Sequence, residues 1–255
     1  MQLVVHTENI NCYLALYQEC RHTSIKCVMG SEENYAKGIE MNNSTVLLIL
    51  EKDNSIYKQL KNKIGIIINE KYWDNGMTDK YNQYLVIKNN NLPYIPTYLY
   101  NELDGIDLTN FISKPKFGSM GRDVLMCNKH TVPTPPFIYQ PFIENNGDWR
   151  VVVIDHKAVS MILRKGETHV NNLAKGAVGW ADWDEEAADL AEKCSIALDL
   201  DYGGIDIIKD KNTNKYYFLE ANSTPTFDTS QILTGINISA KLIEYLFKKF
   251  NALVL

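Results

Sequence analysis

Two acidic residues inside apolar segments constrain the fold of this 255-residue chain more than any other feature. Asp206 lies in the run Gly-Gly-Ile-Asp-Ile-Ile, and Glu220 lies in the segment Leu-Glu-Ala-Asn. A turn-rich stretch, residues 210–214, separates the two segments and predicts a pair of antiparallel strands. An unpaired carboxylate among such neighbours would be costly to desolvate, so it needs a cation or several hydrogen-bond donors nearby.

Strand alternation predicts which side chains share a face of this pair. Along residues 216–222 it places Phe218, Glu220 and Asn222 on one face, and the intervening Leu219 on the other. If the two strands are antiparallel neighbours, Asp206 opposes Glu220 on that face. Two carboxylates and an amide oxygen are hard ligands that suit magnesium or manganese and suit zinc poorly. The alternative is a surface hairpin with solvated acids.

A glycine-containing loop forms a second candidate site. Residues 112–122 carry Lys114 on a predicted strand and then a loop that runs from Gly118 to Gly121. Backbone N–H groups of such a loop can cradle phosphate oxygens, and a lysine adds a point charge. The segment is neither a Walker A motif nor a dinucleotide fingerprint, because no helix follows the glycines directly. Taken alone, the motif is better explained by an ordinary hairpin loop, and the case for a phosphate site rests on the accompanying motifs.

The chain order predicts three units. Short β-branched runs at residues 3–5, 45–50 and 64–68, with helices at 8–19 and 55–62, predict a small α/β domain with a parallel sheet over residues 1–78. The second unit, residues 79–143, is predicted to contain a helix followed by strands. Those elements are a helix at residues 79–89, strands at 111–116, 124–126 and 137–140, and a proline-rich link at 132–136.

The third unit, residues 144–255, is predicted to have α+β order. Its predicted elements are a hairpin at residues 149–163, an irregular segment at 171–181, a helix at 184–198, the acidic strand pair, and an amphipathic helix at 238–250. Asp182 and Glu185 have capping-box spacing before the first of these helices.

Composition and chain pattern argue against several classes of protein. A net charge of −5 gives no support for a nucleic-acid partner. No apolar run is long enough to span a bilayer, and the N-terminus lacks a signal-peptide pattern, so we expect a cytoplasmic protein without a membrane partner. The five cysteines include no C-x-x-C pair and predict reduced thiols. Whether the chain forms a homo-oligomer is not decided by these features.

Several ordered motifs together resemble the ATP-grasp ligases, and among them the RimK-like group, which adds amino acids to carboxyl termini. The motifs are TDK at residues 78–80, LPYIPT at 92–97, KPKFGSMGRDV at 114–124, YQPFI at 139–143, GDWRV at 147–151, GID at 204–206, LEAN at 219–222 and TGINI at 234–238. The resemblance implies an α+β ATP-grasp fold, whose two subdomains grip ATP, preceded by a small α/β pre-ATP-grasp domain.

The resemblance also implies a reaction and a set of roles. A carboxylate would attack the γ-phosphate of ATP, and an amine would then displace phosphate from the acyl-phosphate to form an amide. Two magnesium ions, or manganese, would be held by Asp206, Glu220 and Asn222. ATP would contact Lys80, Lys114, Gly118, Ser119, Met120, Gly121, Gln140, Pro141, Phe142 and Asp148. The catalytic residues would be Arg150, Arg164 and Asn172.

The departures from the family pattern concern the lid and the substrate loop. Arg122 and Asp123 stand where the lid usually has another glycine, Pro141 replaces a glutamate, and His169 stands where an arginine is common. The carboxylate, whether small molecule or peptide, and the amine are therefore not identified. Two alternatives stay open: a graspetide-type macrocyclase, which closes a lactone or lactam within one peptide, and an inactive nucleotide-binding scaffold.

Overall fold

A computed structural model describes residues 2–8, 10–23, 25–31, 42, 44–50, 55–118, 121–127, 136–167, 170–173 and 176–254. Its first part is a four-stranded, fully parallel sheet in the order β2-β1-β3-β4. The strands are β1 Gln2–His6, β2 Lys26–Gly30, β3 Thr45–Ile49 and β4 Ile66–Ile67. The helices are α1 Leu14–His22, preceded by a 3₁₀ turn at Ile10–Tyr13, α2 Ser55–Leu60 and α3 Glu70–Asp74. The parallel sheet is as predicted, while β2 was not predicted from the sequence.

The second part joins one helix to a four-stranded antiparallel sheet in the order β5-β8-β6-β7. Its elements are α4 Lys80–Asn89, β5 Tyr98–Leu99 with a 3₁₀ turn at Tyr100–Glu102, β6 Phe111–Pro115, β7 Leu125–Met126 and β8 Phe137–Pro141. Helix α4 begins where predicted, because the Asp79 side chain accepts a hydrogen bond from the Tyr81 backbone N–H at 2.8 Å. Strands β6 and β7 pair on either side of the glycine loop, also as predicted.

The third part is a five-stranded antiparallel sheet in the order β11-β10-β9-β12-β13. Its elements are β9 Asp148–Ile154, β10 Lys157–Lys165, β11 Val178–Ala181, α5 Glu185–Ala197, β12 Tyr202–Lys209, β13 Tyr216–Asn222, α6 Asp228–Thr234 and α7 Ile238–Val254. Asp155 and His156 close the β9–β10 hairpin with φ angles of 53° and 59°, so both adopt the left-handed conformation of a tight hairpin turn. Among the described helices, none combines the length and apolarity that a membrane span requires.

Two hydrophobic clusters join the parallel sheet to the five-stranded sheet. One contains Leu47 of β3 together with Ile205 and Ile207 of β12, and the other contains Leu48 of β3 together with Val152 of β9. Successive residues of β3 therefore enter different cores, because a strand points neighbouring side chains to opposite faces. The predicted unit boundaries at residues 78 and 143 stay predictions.

Three sequence-based expectations were wrong in detail. Helix α5 is capped by Asp184, whose carboxylate accepts from the Ala187 backbone N–H at 3.0 Å, whereas Asp182 accepts from the Trp149 indole N–H. Strand β11 lies inside the segment predicted to be irregular. The predicted alternation along β13 is broken by a bulge at Leu219, because Glu220 pairs with Asp206 while Phe218 pairs with Ile207.

Candidate active site

A cleft of about 860 Å³ opens between the β5–β8 sheet and the five-stranded sheet. Eleven of the residues predicted to form the site lie along it. They are Lys80, Lys114, Gly118, Gly121, Pro141, Phe142, Asp148, Arg164, Asn172, Asp206 and Glu220. The cleft therefore brings together residues from helix α4, the glycine loop, strand β8 and the acidic strand pair.

Strand register places the two key carboxylates side by side at this cleft. Asp206 of β12 lies directly opposite Glu220 of β13, as predicted. The bulge at Leu219 alters the rest of the pattern, since Leu219 and Glu220 both line the cleft while Phe218 and Ala221 join the hydrophobic core. The extra residue in β13 changes the direction of the neighbouring side chains, while Glu220 stays paired with Asp206.

Two arginines surround Asp206 at the floor of the cleft. Arg150 donates from Nε and Nη2 to the two carboxylate oxygens of Asp206, the second bond being 3.0 Å long. Arg164 Nη2 lies 3.0 Å from Asp206 Oδ2. Burial favours the neutral acid, but the two guanidinium charges outweigh it and lower the pKa of Asp206, so this carboxylate is ionised at neutral pH.

Arg164 links a second buried acid to the same cluster. Its Nε donates to Asp148 Oδ1 at 2.7 Å. Burial, opposed by Arg164 and reinforced by the charge of Asp206, raises the pKa of Asp148 to about 7. The Asp148 carboxylate that lines the cleft is thus held by Arg164, and its predicted contact with ATP stays a prediction.

Two lysines approach the acidic strands from the other wall. Lys114 on β6 is almost fully buried, and its Nζ donates to the Leu219 backbone carbonyl at 3.4 Å. Burial lowers the pKa of Lys114 to about 8, with Lys80 adding to the effect and Glu220 opposing it. Lys80 Nζ donates to the Gly118 carbonyl at 2.9 Å and lies 3.9 Å from Glu220 Oε2. Both ammonium groups therefore stand next to the glycine loop and the acidic strands.

An asparagine pair that sequence reasoning missed shapes the opposite end of the cleft. Asn171 Oδ1 accepts from the Gly166 backbone N–H at 2.9 Å, and its Nδ2 donates to Asn145 Oδ1 at 3.0 Å. A Cβ on Gly166 would lie 2.1 Å from the Val170 carbonyl oxygen, so the loop closes this tightly only with glycine. The Asn-Asn-Gly sequence at residues 145–147 was the available signal, since such residues favour turns.

The remaining predicted residues lie around this cleft or outside the described residues. Asn222 lines a neighbouring cleft of about 470 Å³ that shares Lys80, Gly118 and Glu220 with the first. Gln140 is buried in a third, smaller cavity that Lys114 also lines, and it donates to Thr97 Oγ1 at 2.7 Å. Arg150 lies behind Asp206, against Gly204. Ser119, Met120 and His169 lie outside the described residues, as do residues 132–135 of the predicted proline-rich link.

A model of the RimK-like ATP-grasp domain matches residues 87–246, which is more than half of the chain. The chain belongs to the RimK-like ATP-grasp family. The predicted family is therefore confirmed.

Curated relatives of this family member are ligases. A tetrahydromethanopterin:alpha-L-glutamate ligase of Methanosarcina acetivorans is 37% identical over 42% of this chain and 39% of that protein. The enzyme of the same name from Methanocaldococcus jannaschii is 30% identical over 52% of each chain. A probable alpha-L-glutamate ligase of Pasteurella multocida is 33% identical over 45% of this chain and 37% of that protein. The matches thus span about half or less of these relatives.

Solved structures share the fold over nearly the whole chain. D-cycloserine synthetase DcsG superposes with a TM-score of 0.76 at 16% identity, covering 98% of this chain and 100% of that one. The ATP-grasp ligase PsnB, solved with a minimal precursor, gives 0.72 at 15% identity over 97% and 98%. D-alanine–D-alanine ligase of Bacillus anthracis, solved with ATP, gives 0.69 at 14% identity over 99% and 98%. The predicted α+β ATP-grasp fold is confirmed.

The chemistry of the cleft fits a magnesium–nucleotide complex. Two ammonium groups face two carboxylates across one cleft, which suits phosphate oxygens on one side and a divalent cation on the other. Among the described residues no three His, Cys, Asp or Glu side chains gather into a metal site. Magnesium requires no such cage, because it is commonly held by one or two carboxylates together with substrate phosphates and water.

Proposed function

We propose that this chain is an ATP-dependent carboxylate–amine ligase that forms an amide bond through an acyl-phosphate. The observation that carries the proposal is the meeting of Lys80 and Lys114 with Asp206 and Glu220 in one cleft of an ATP-grasp fold. Family membership supports the same conclusion, because the curated relatives are named as ligases.

The reaction has two steps whose atoms balance. A substrate carboxylate oxygen attacks the γ-phosphorus of ATP, the bond to the bridging oxygen breaks, and ADP leaves with that electron pair. An amine nitrogen then attacks the acyl carbon, phosphate leaves, and the nitrogen loses a proton. A carboxylate is a poor electrophile, so conversion to the acyl-phosphate is what makes the amide bond accessible. Bound magnesium would supply neutralisation of the phosphate charges.

The chain's own residues supply positioning and charge. Lys80 and Lys114, with the loop from Gly118 to Gly121, would hold the phosphates, and Gln140, Pro141 and Phe142 would line the adenine. Asp206, Glu220 and Asn222 would hold the two metal ions. Arg150, Arg164 and Asn172 would orient the transferred phosphoryl group. No side-chain nucleophile is needed, because positioned charges perform most of the catalysis in phosphoryl transfer.

The substrate pair we propose is an amino acid as the amine and a peptide or small molecule as the carboxylate. The relatives from Methanosarcina acetivorans, Methanocaldococcus jannaschii and Pasteurella multocida are named as glutamate ligases. Their names support an amino acid as the amine substrate. A second candidate joins both groups within one peptide, and the full-length structural match to PsnB, solved with its precursor, favours it.

One experiment separates these candidates. The protein is incubated with ATP, Mg²⁺ and pooled amino acids and peptides, and the products are analysed by mass spectrometry while ADP and phosphate are measured. We expect a product heavier than one substrate by an amino-acid residue; a peptide lighter by one water would identify a macrocyclase instead. Nucleotide binding without ADP formation on any substrate would refute both and indicate a scaffold.

A further inference from the structure

Gln83 on α4 forms a reciprocal amide pair with the backbone of β13. Its Oε1 accepts from the Ala221 N–H at 2.9 Å, and its Nε2 donates to the Ala221 carbonyl at 2.9 Å. The side chain is only 2% exposed. A single side chain thus makes the two hydrogen bonds that a neighbouring strand would make to one residue.

This pairing occurs at the edge of β13 that has no neighbouring strand in the described part of the chain. Strand β13 is the last strand of the five-stranded sheet, so the peptide groups on its outer edge need partners from elsewhere. Pro93 supplies one partner, since its carbonyl accepts from the Phe218 N–H at 3.0 Å. Further along the same edge, Gln83 makes two hydrogen bonds to the backbone of Ala221. These bonds hold the end of the strand in a defined geometry.

Ala221 is the residue between Glu220 and Asn222, two of the three proposed cation ligands. The segment 220–222, together with Gln83 and Lys80, lines the cleft of about 470 Å³ described above. Lys80 is three residues before Gln83 on the same helix, and its Nζ is 3.9 Å from Glu220 Oε2. The Gln83 contact therefore fixes the position of the ligand strand relative to the helix that carries the phosphate-facing lysine.

The Gln83 amide is itself held rigidly. Its Nε2 lies 2.6 Å from the Met77 carbonyl and 3.1 Å from the Tyr72 hydroxyl, and that hydroxyl donates to the Ala221 carbonyl at 3.4 Å. Tyr72 is 1% exposed. A buried side chain with so many partners has one orientation, because any rotation would leave polar groups unpaired.

We propose that Gln83 is a positioning residue for the cation site, which holds the Glu220–Ala221–Asn222 backbone where its side chains bind the divalent ion that accompanies the nucleotide. This inference rests on the proposed function. Residues that orient metal ligands typically contribute 10- to 100-fold to metal affinity or activity. Their loss therefore weakens binding that depends on the metal more than binding that does not.

The test compares ADP binding with and without Mg²⁺ by calorimetry in the whole protein. For Gln83→Met, which has a similar volume but no amide, we expect affinity for ADP to fall about tenfold in Mg²⁺. In EDTA we expect a change of less than about twofold. Tyr72→Phe, which removes one hydroxyl, should lower the ratio of ADP affinity in Mg²⁺ to ADP affinity in EDTA by a smaller factor. This variant provides the test if Gln83→Met folds poorly.

Asn82→Ala is the matched control. Asn82 is the preceding residue on α4, and its amide donates to the Gly76 carbonyl at 3.1 Å rather than to β13. We expect a smaller loss of thermal stability than for Gln83→Met and an unchanged effect of Mg²⁺ on ADP affinity. If both Gln83→Met and Tyr72→Phe keep the wild-type effect of Mg²⁺ on ADP affinity, the positioning role is wrong while the ligase proposal stands. If the wild type itself binds no ADP with Mg²⁺, the proposed function fails first.

Discussion

Arg164 and Asp206 form a buried ion pair under the cleft, with Arg164 Nη2 3.0 Å from Asp206 Oδ2. The same guanidinium also binds Asp148, and Arg150 binds Asp206 from the other side. The two arginines and two aspartates thus compensate one another inside the fold. The Asp206 carboxylate stays ionised there because this compensation replaces the water that burial removes.

Arg164→Met tests how much this cluster contributes to the stability of the fold. Removing one partner of a buried pair leaves uncompensated charge, so we expect the free energy of unfolding to fall by about 3–5 kcal/mol in urea denaturation. Lys157→Met is the control, because Lys157 forms a solvent-exposed pair with Glu192 and should change stability little. Equal stability of the two variants would show that the cluster does not stabilise the fold.

Glu220→Gln tests the proposed cation site with minimal change in shape. The substitution removes the charge of a proposed cation ligand that lies 3.9 Å from Lys80 Nζ. Because this charge would help to hold the divalent ion, we expect ATP-dependent phosphate release to fall at least about 100-fold with an unchanged melting temperature. Glu144→Gln is the control, since Glu144 pairs with Lys211 and is not among the residues that line the cleft. Full turnover in Glu220→Gln would remove Glu220 from the site.

Lys114 should make stability depend on pH above neutrality. Its pKa is about 8 in the fold against an ordinary 10.5, so below pH 8 the fold must bury an ammonium group at a cost. Between these values the unfolded chain binds the extra proton, and the contribution of Lys114 to stability therefore rises with pH and is lost as pH falls.

Denaturation of wild type and Lys114→Met across this range measures the effect. We expect the stability advantage of Lys114→Met to shrink by about 3 kcal/mol as pH rises from 8 to 10.5. A difference that stays constant with pH would mean that Lys114 keeps its ordinary pKa in the fold.

Gly147→Ala tests the tight approach between the start of β9 and the end of β10. Gly147 has a φ of +129°, and a Cβ there would lie 2.5 Å from the Arg164 carbonyl oxygen. We expect a loss of more than about 2 kcal/mol, because backbone strain adds to a clash with an atom that cannot move aside. Gly105→Ala, at φ +75° with nothing within 4 Å, should cost only the strain. Equal losses would show that the approach is looser than the structure indicates.

Local patterns predicted the parts of the fold that depend on neighbouring residues. The short turn at residues 210–214 allowed the pairing of Asp206 with Glu220 to be predicted, since a brief connection makes consecutive strands antiparallel neighbours. The bulge at Leu219 escaped prediction, because an extra residue in one strand leaves no mark on the composition of either. The choice of Asp184 over Asp182 as the cap depended on where the helix began, which two nearby acids left undecided.

The sequence by itself determined the family, and it predicted the main elements and the charged residues that meet in the cleft. Only the tertiary structure decided how charged and polar groups are paired: Asp206 with Arg150 and Arg164, Asn171 with Asn145, and Gln83 with Ala221. The last of these joins residues 138 positions apart. Hydrogen bonds and ion pairs reach only about 3–4 Å, so such partners are set by how helices and sheets pack, which local sequence patterns do not encode.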